Sequence, residues 1–98
     1  MPKGYVVAMV SVTDVNAYKP YMEATETLVR NFGGKYLIRG APQICKENST
    51  PHERLVVIEF PNFEQANSFY NDERYVEVRK IRQNNSEGFL FLTTGVEK

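Results

Sequence analysis

From Gly4 to Val12 apolar residues occupy both sides of an extended chain. Val6, Ala8, Val10 and Val12 share one face, and Tyr5, Val7 and Met9 share the other, which predicts a strand. Asp14 can cap the helix that follows. From Val15 to Phe32, at about 100° per residue, Ala17, Tyr18, Tyr21, Leu28, Val29 and Phe32 form one side. Lys19, Glu23, Glu26 and Arg30 form the other. Pro20 lacks a backbone donor and is expected to kink this helix or to separate its first turn. Gly33-Gly34 ends it, because glycine tolerates the left-handed cap conformation. Lys35 to Lys46 reads as a second strand, bent at Gly40-Ala41-Pro42. Asn48 to Glu53 is a polar turn, and Arg54 to Phe60 a third strand. Pro61 stops that strand, and Asn62 with Gln65 fits a capping box. Phe63, Ala66, Phe69 and Tyr70 make the inner face of a short helix. Asn71-Asp72 interrupts it, and a second segment runs from Glu73 to Asn84. Asn85 to Gly88 is a turn before a fourth strand, Phe89 to Thr94.

The order strand-helix-strand-strand-helix-strand is the split βαβ, or ferredoxin-like, arrangement. It predicts one α+β domain over residues 1–98, with a four-stranded antiparallel sheet and its helices on one face. The other face of such a sheet can be wet only if the strands alternate apolar with polar residues. They do not. Val56, Ile58 and Phe60 oppose Leu55 and Val57, and Phe89 and Phe91 oppose Leu90 and Leu92. Both faces therefore require burial. An identical sheet is the simplest cover for the second, so a homodimer through the open sheet face is expected.

Charge narrows the partners. Twelve basic and twelve acidic residues give a formal net charge of zero, which argues against nucleic-acid binding by bulk electrostatics and against a polybasic membrane anchor. The apolar run after Met1-Pro2-Lys3 is too short for a signal or a membrane span, so a cytoplasmic protein is expected. Cys45 is the sole cysteine. It can form neither an internal disulfide nor a multi-cysteine metal site, and reads as a small apolar strand residue. His52, the one histidine, lies in the polar turn and reads as exposed. No metal or cofactor is expected, and a nucleophilic triad is discounted because His52 is far in sequence from any nucleophile.

The candidate chemistry lies in charged residues placed among apolar ones. In the last helix Tyr75, Val78 and Ile81 form the inward arc, Arg82 falls within it and Arg79 at its edge. A buried arginine needs a partner. One reading is structural: a salt bridge, with Glu59 the first choice, backbone carbonyls, or a head group reaching water, so that Arg82→Ala destabilises the fold. The other is a clamp for a carboxylate or phosphate, which suits a planar guanidinium. Glu59 interrupts an apolar strand, and Arg39 sits where the second strand bends. Tyr70 and Tyr75, with Tyr18 and Tyr21, read as core residues whose hydroxyls need partners. Arg39, Glu59, Tyr70, Tyr75, Arg79 and Arg82 are thus the candidates for a pocket holding a small anionic ligand.

Several segments together resemble DUF1330, a family of domains of unknown function. They are Gly4-Tyr5-Val6-Val7-Ala8, Thr13-Asp14 with Tyr18 and Tyr21, and Gly33-Gly34 with Leu37-Ile38-Arg39-Gly40. Val56-Val57-Ile58-Glu59-Phe60-Pro61, Ala66 with Phe69-Tyr70, and Tyr75 with Arg79 and Arg82 complete the pattern. Ala41 and Asn71-Asp72 depart from it. The resemblance implies a dimeric α/β barrel and supplies no activity. Three functions remain open: a small-molecule enzyme without cofactor, a binding module for a small carboxylate, and a purely structural dimer.

Overall fold

The computed structural model describes residues 2–41 and 43–96. The expected bend residue Pro42 lies outside them. Seven elements follow in the order β1 (Gly4–Val12), α1 (Val15–Asn31), β2 (Lys35–Ala41), β3 (Arg54–Phe60), α2 (Phe63–Asn71), α3 (Glu73–Asn84) and β4 (Ser86–Thr94). The strands form one antiparallel sheet in the order β2-β3-β1-β4. β1 is central, with Val7 opposite Val57 on one side and opposite Phe91 on the other. This is the ferredoxin-like arrangement that the element order implies.

Each helix starts where a short polar side chain can accept an orphan backbone N–H. Asp14 accepts from Ala17 N at 3.1 Å, Asn62 from Gln65 N at 2.8 Å, and Asp72 from Arg74 N at 2.9 Å. Pro20 does not divide α1, which runs through it unbroken. The carbonyl that it leaves unbonded, that of Asn16, belongs to an exposed residue near the helix start, where water can replace the missing donor. β2 is shorter than expected and ends at Ala41. A proline at 42 has no N–H for the ladder, and the chain beyond leaves the sheet. Cys45 is consequently an exposed loop residue, not an apolar strand residue. β4 begins three residues earlier than expected, at Ser86, and includes Gly88 at φ 152. A Cβ there would meet the Met9 carbonyl, so only glycine lets β4 lie this close to β1.

The helices cover the face made by Val6, Ala8 and Val10 of β1 and by Ile58 and Phe60 of β3. Phe69 and Tyr75 fill the space between the layers, with ring centroids 4.4 Å apart, and Phe60 lies 5.2 Å from Phe69. Phe63, expected on this inner face, is instead exposed at the start of α2. The opposite face of the sheet carries Val7, Met9, Leu55, Val57, Ile38, Phe89 and Phe91. No helix covers it, and Phe89 and Phe91 remain 43% and 47% exposed.

Candidate functional site

Two helical stripes meet over the centre of the sheet. Tyr18, Tyr21 and Thr25 follow one another at three- and four-residue spacing on the buried face of α1, and Tyr75, Val78 and Arg82 do the same on α3. The stripes are joined by the hydroxyl oxygens of Tyr21 and Tyr75, buried and 2.7 Å apart. Beneath them lies a void of about 30 Å³, room for one or two water molecules. Arg82 comes to it from α3, Arg54 from the start of β3, and Arg39 from β2.

The three arginines differ in their partners. Arg39 stacks over the Tyr36 ring at 4.3 Å and pairs with Glu26 at 3.5 Å, so its charge is met at the rim. Arg54 crosses β2 above Gly40, where the φ of +77° and the lack of a Cβ leave space for the guanidinium. Its Nη2 approaches the Met22 sulfur at 3.9 Å, a weak partner, and its guanidinium also acts on the Tyr18 hydroxyl, whose pKa it pulls down. Arg82 is 7% exposed and its Cζ lies 6.0 Å from the Tyr21 ring centroid. Among the described residues no carboxylate forms an ion pair with Arg54 or Arg82. Arg54 Nε, Arg82 Nε and Thr25 Oγ1 are buried without a hydrogen-bond partner. All three residues line this one cavity. Buried polar atoms left unsatisfied are few in native proteins, so their convergence here marks a place for something else.

The chemistry of the lining is one-sided. Guanidinium groups only donate, and a phenol donates once. Burial raises the pKa of Tyr18 to about 12, with the neighbouring Tyr21 adding to it and Arg54 and Arg82 opposing. Burial likewise raises Tyr36 to about 12. The Tyr21 phenol is pushed up by burial and then by Tyr75, and the Tyr75 phenol by burial, against the pull of Tyr21 and Arg82. Burial works against the Arg82 cation, but the oxygens of Tyr21, Tyr75 and Tyr18 outweigh it and raise its pKa. At neutral pH the cavity therefore holds cations and neutral phenols, with donors in excess of acceptors.

These phenols tie stability to alkaline pH. Their folded pKa values lie above the unfolded value of 10.0, so their contribution is complete below pH 10 and is lost as pH rises towards 12. A spectrophotometric titration of tyrosinate should show Tyr18 and Tyr36 ionising well after a free tyrosine, with unfolding as they do so. Six tyrosines titrating together near pH 10 in a protein that remains folded would contradict this burial.

The sequence-expected residues divide. Arg39, Tyr75 and Arg82 line the cavity. Glu59 does not, and it is not the partner of Arg82. It points to the open sheet face, where it accepts from the Tyr5 hydroxyl at 3.2 Å and pairs with Lys35 at 3.7 Å. The alternation of β3 puts it with Leu55 and Val57, and the helices took the other side. Arg79 stacks on the Tyr70 ring at 4.3 Å and donates to the Tyr70 carbonyl at 3.1 Å. Both stand outside the cavity. Arg54, Thr25, Tyr18 and Tyr21 complete it. Arg54 shares its strand parity with Val56 and Ile58, and Thr25 completes the stripe of Tyr18 and Tyr21, so both signals were present in the sequence.

His52 is half-buried, not exposed. Its Nδ1 lies 3.0 Å from Ser11 Oγ and its ring meets Phe89 edge-on at 6.1 Å. Separation in sequence was a poor guide, because β1 and β3 are neighbours and bring Ser11 beside this turn. Glu53 accepts from Ser11 at 3.3 Å and so does not orient the imidazole as the third member of a triad would.

Comparison with known proteins places the chain by family and by fold. A family model described as a domain of unknown function, DUF1330, matches residues 3–96. No curated protein matches the chain. A protein of unknown function from Rhodopseudomonas palustris is similar in structure, with a TM-score of 0.77 at 15% identity, over 99% of this chain and 85% of that one. SnoaB of Streptomyces nogalater, a cofactor-independent oxygenase, superposes with a TM-score of 0.65 at 8% identity, over 100% of this chain and 97% of its own. A dimeric ferredoxin-like protein of unknown function from Thermobifida fusca gives 0.64 at 9% identity, over 95% and 91%. At these identities the likeness is one of fold. Among the described residues no helix is long and apolar enough to cross a membrane.

Proposed function

The chain belongs to the DUF1330 family, and from that premise we propose that it binds a small organic anion, a carboxylate or an enolate, in the cavity between sheet and helices. The observation that carries this reading is Arg82, a buried cation lining the cavity with no carboxylate partner among the described residues. An anion accepting from Arg82 Nε would balance the charge, and its further lone pairs would take the phenol and threonine protons. The same donors would stabilise an enolate oxygen as charge develops on it. Cofactor-free chemistry on a substrate that forms such an enolate is therefore the activity that this lining suits. SnoaB, a cofactor-independent oxygenase, shares the fold, and fold alone does not carry an activity over. The protein would work as a homodimer, with the uncovered sheet face of each copy packed on the other.

The reading is tested by calorimetric titration of the wild-type protein and of Arg82→Met with a panel of small carboxylates. At least one should saturate the wild-type protein, and the variant should bind it at least tenfold more weakly, as loss of a charge-assisted hydrogen bond implies. If no member of the panel binds the wild-type protein, or if Arg82→Met binds equally well, the cavity is structural. Turnover of the bound members, followed by mass spectrometry, then separates an enzyme from a binding module.

A further inference from the structure

The inner void is too small for a molecule of several carbons, yet it does not end at its own walls. Tyr18, Met22 and Arg54 line it and also line a wider groove of about 560 Å³, together with Val12, Lys19 and Gly40. The partition between the two spaces is thus made of side chains, two of them long and flexible. The polar contacts across it are weak: the 3.9 Å approach of Arg54 to the Met22 sulfur and the pull of the same guanidinium on the Tyr18 hydroxyl. Arg54 stands in this partition with its Nε buried and unsatisfied, and Arg82 stands in the inner cavity in the same condition. Tyr18 feels both charges. Among the described residues Glu53 is the only acidic one lining the outer groove, against Lys19 and Arg54, and the inner cavity has none. One negative charge would answer Arg82 and leave Arg54 as it is.

Resting on the anion reading above, we infer that the ligand is a short dianion, a dicarboxylate, that holds one carboxylate on Arg82 inside and the other on Arg54 at the partition. Binding displaces Arg54 from Met22 and joins the inner cavity to the outer groove. Gly40 is part of this device. A Cβ at that position would strike the guanidinium of Arg54, so the glycine keeps the arginine free to lie across β2 and to turn inward.

The probes are the straight-chain dicarboxylates from propanedioate to hexanedioate, each compared with the monocarboxylate of equal length, by calorimetry at constant ionic strength. On the wild-type protein the best dicarboxylate should bind at least about tenfold more tightly than its monocarboxylate, the scale of one added charge-assisted contact. Arg54→Gln should reduce that ratio to within about threefold, whereas Arg82→Met should weaken both members of the pair. Monocarboxylates and dicarboxylates binding the wild-type protein equally would overturn the inference while leaving the anion reading intact. A ratio that persists in Arg54→Gln would also overturn it, because the second charge would then be held elsewhere. Absence of binding by every probe would remove both. Should Arg54→Gln fail to fold, Arg54→Met removes the same charge with an apolar chain and is held to the same limit of about threefold.

Discussion

Replacing Arg82 with methionine is expected to raise the melting temperature. The cation is 7% exposed and, among the described residues, without an acidic partner. Methionine keeps most of the side-chain volume and removes the charge. Exchanging buried ionic groups for apolar ones of similar size often stabilises by about 1 to 4 kcal/mol. The loss of the contact with the Tyr21 ring, at 6.0 Å, offsets this by about 0.5 to 1 kcal/mol. The net expectation is a gain of up to about 3.5 kcal/mol, and each kcal/mol moves the midpoint of a domain this size by about 4 to 8 °C. Functional sites commonly sacrifice stability in this way. A structural arginine satisfied by a carboxylate predicts the opposite sign, a loss of about 3 to 5 kcal/mol. A midpoint lowered by ten degrees or more in Arg82→Met would therefore reject an unpaired cation at this position.

An aspartate at Val57 should prevent association at micromolar concentration. Val57 lies at the centre of the uncovered face, opposite Val7 on β1 and Ile38 on β2. That face also exposes Ile38, Phe89 and Phe91, a contiguous apolar surface of the kind that monomers avoid. In a sheet-on-sheet dimer the residue is buried twice, once in each copy, and each buried carboxylate costs several kcal/mol. Sedimentation should find the wild-type protein dimeric and Val57→Asp monomeric or unfolded. A Val57→Asp dimer of wild-type stability would show that this face is not the interface. Glu59 is on the same face and tolerates it because Tyr5 and Lys35 meet its carboxylate near the end of the strand.

What could be read in the sequence followed from periodicity. The parity of β1 and β3 separated Val6, Val10, Ile58 and Phe60 from Val7 and Val57, and the caps at Asp14, Asn62 and Asp72 fixed the helix starts. Parity says which residues share a side, however, and not which side the helices cover. For that reason the expected pairing of Glu59 with Arg82 fails: the sheet lies between them. Nothing in its own strand marks Arg54, because an arginine at the first position of a strand is usually solvated. Its burial depends on Gly40 of the adjacent strand and on Met22 of α1, contacts between segments that no local pattern contains. Thr25 was legible on its stripe, but a single hydroxyl in a helix commonly bonds its own backbone. Arg82, by contrast, stood out from its helix alone, because an arginine between Tyr75 and Ile81 contradicts the face that it occupies.

A crystal structure grown with a short dicarboxylate such as butanedioate would show whether the unpaired guanidinium of Arg82 holds an anion. Ordered carboxylate density is expected in the cavity, with an oxygen within hydrogen-bonding distance of Arg82 Nε and Tyr21 or Tyr75 donating to the same group. Arg82 bonded to a protein carboxylate or to backbone carbonyls, above a cavity that holds no anion, would contradict it.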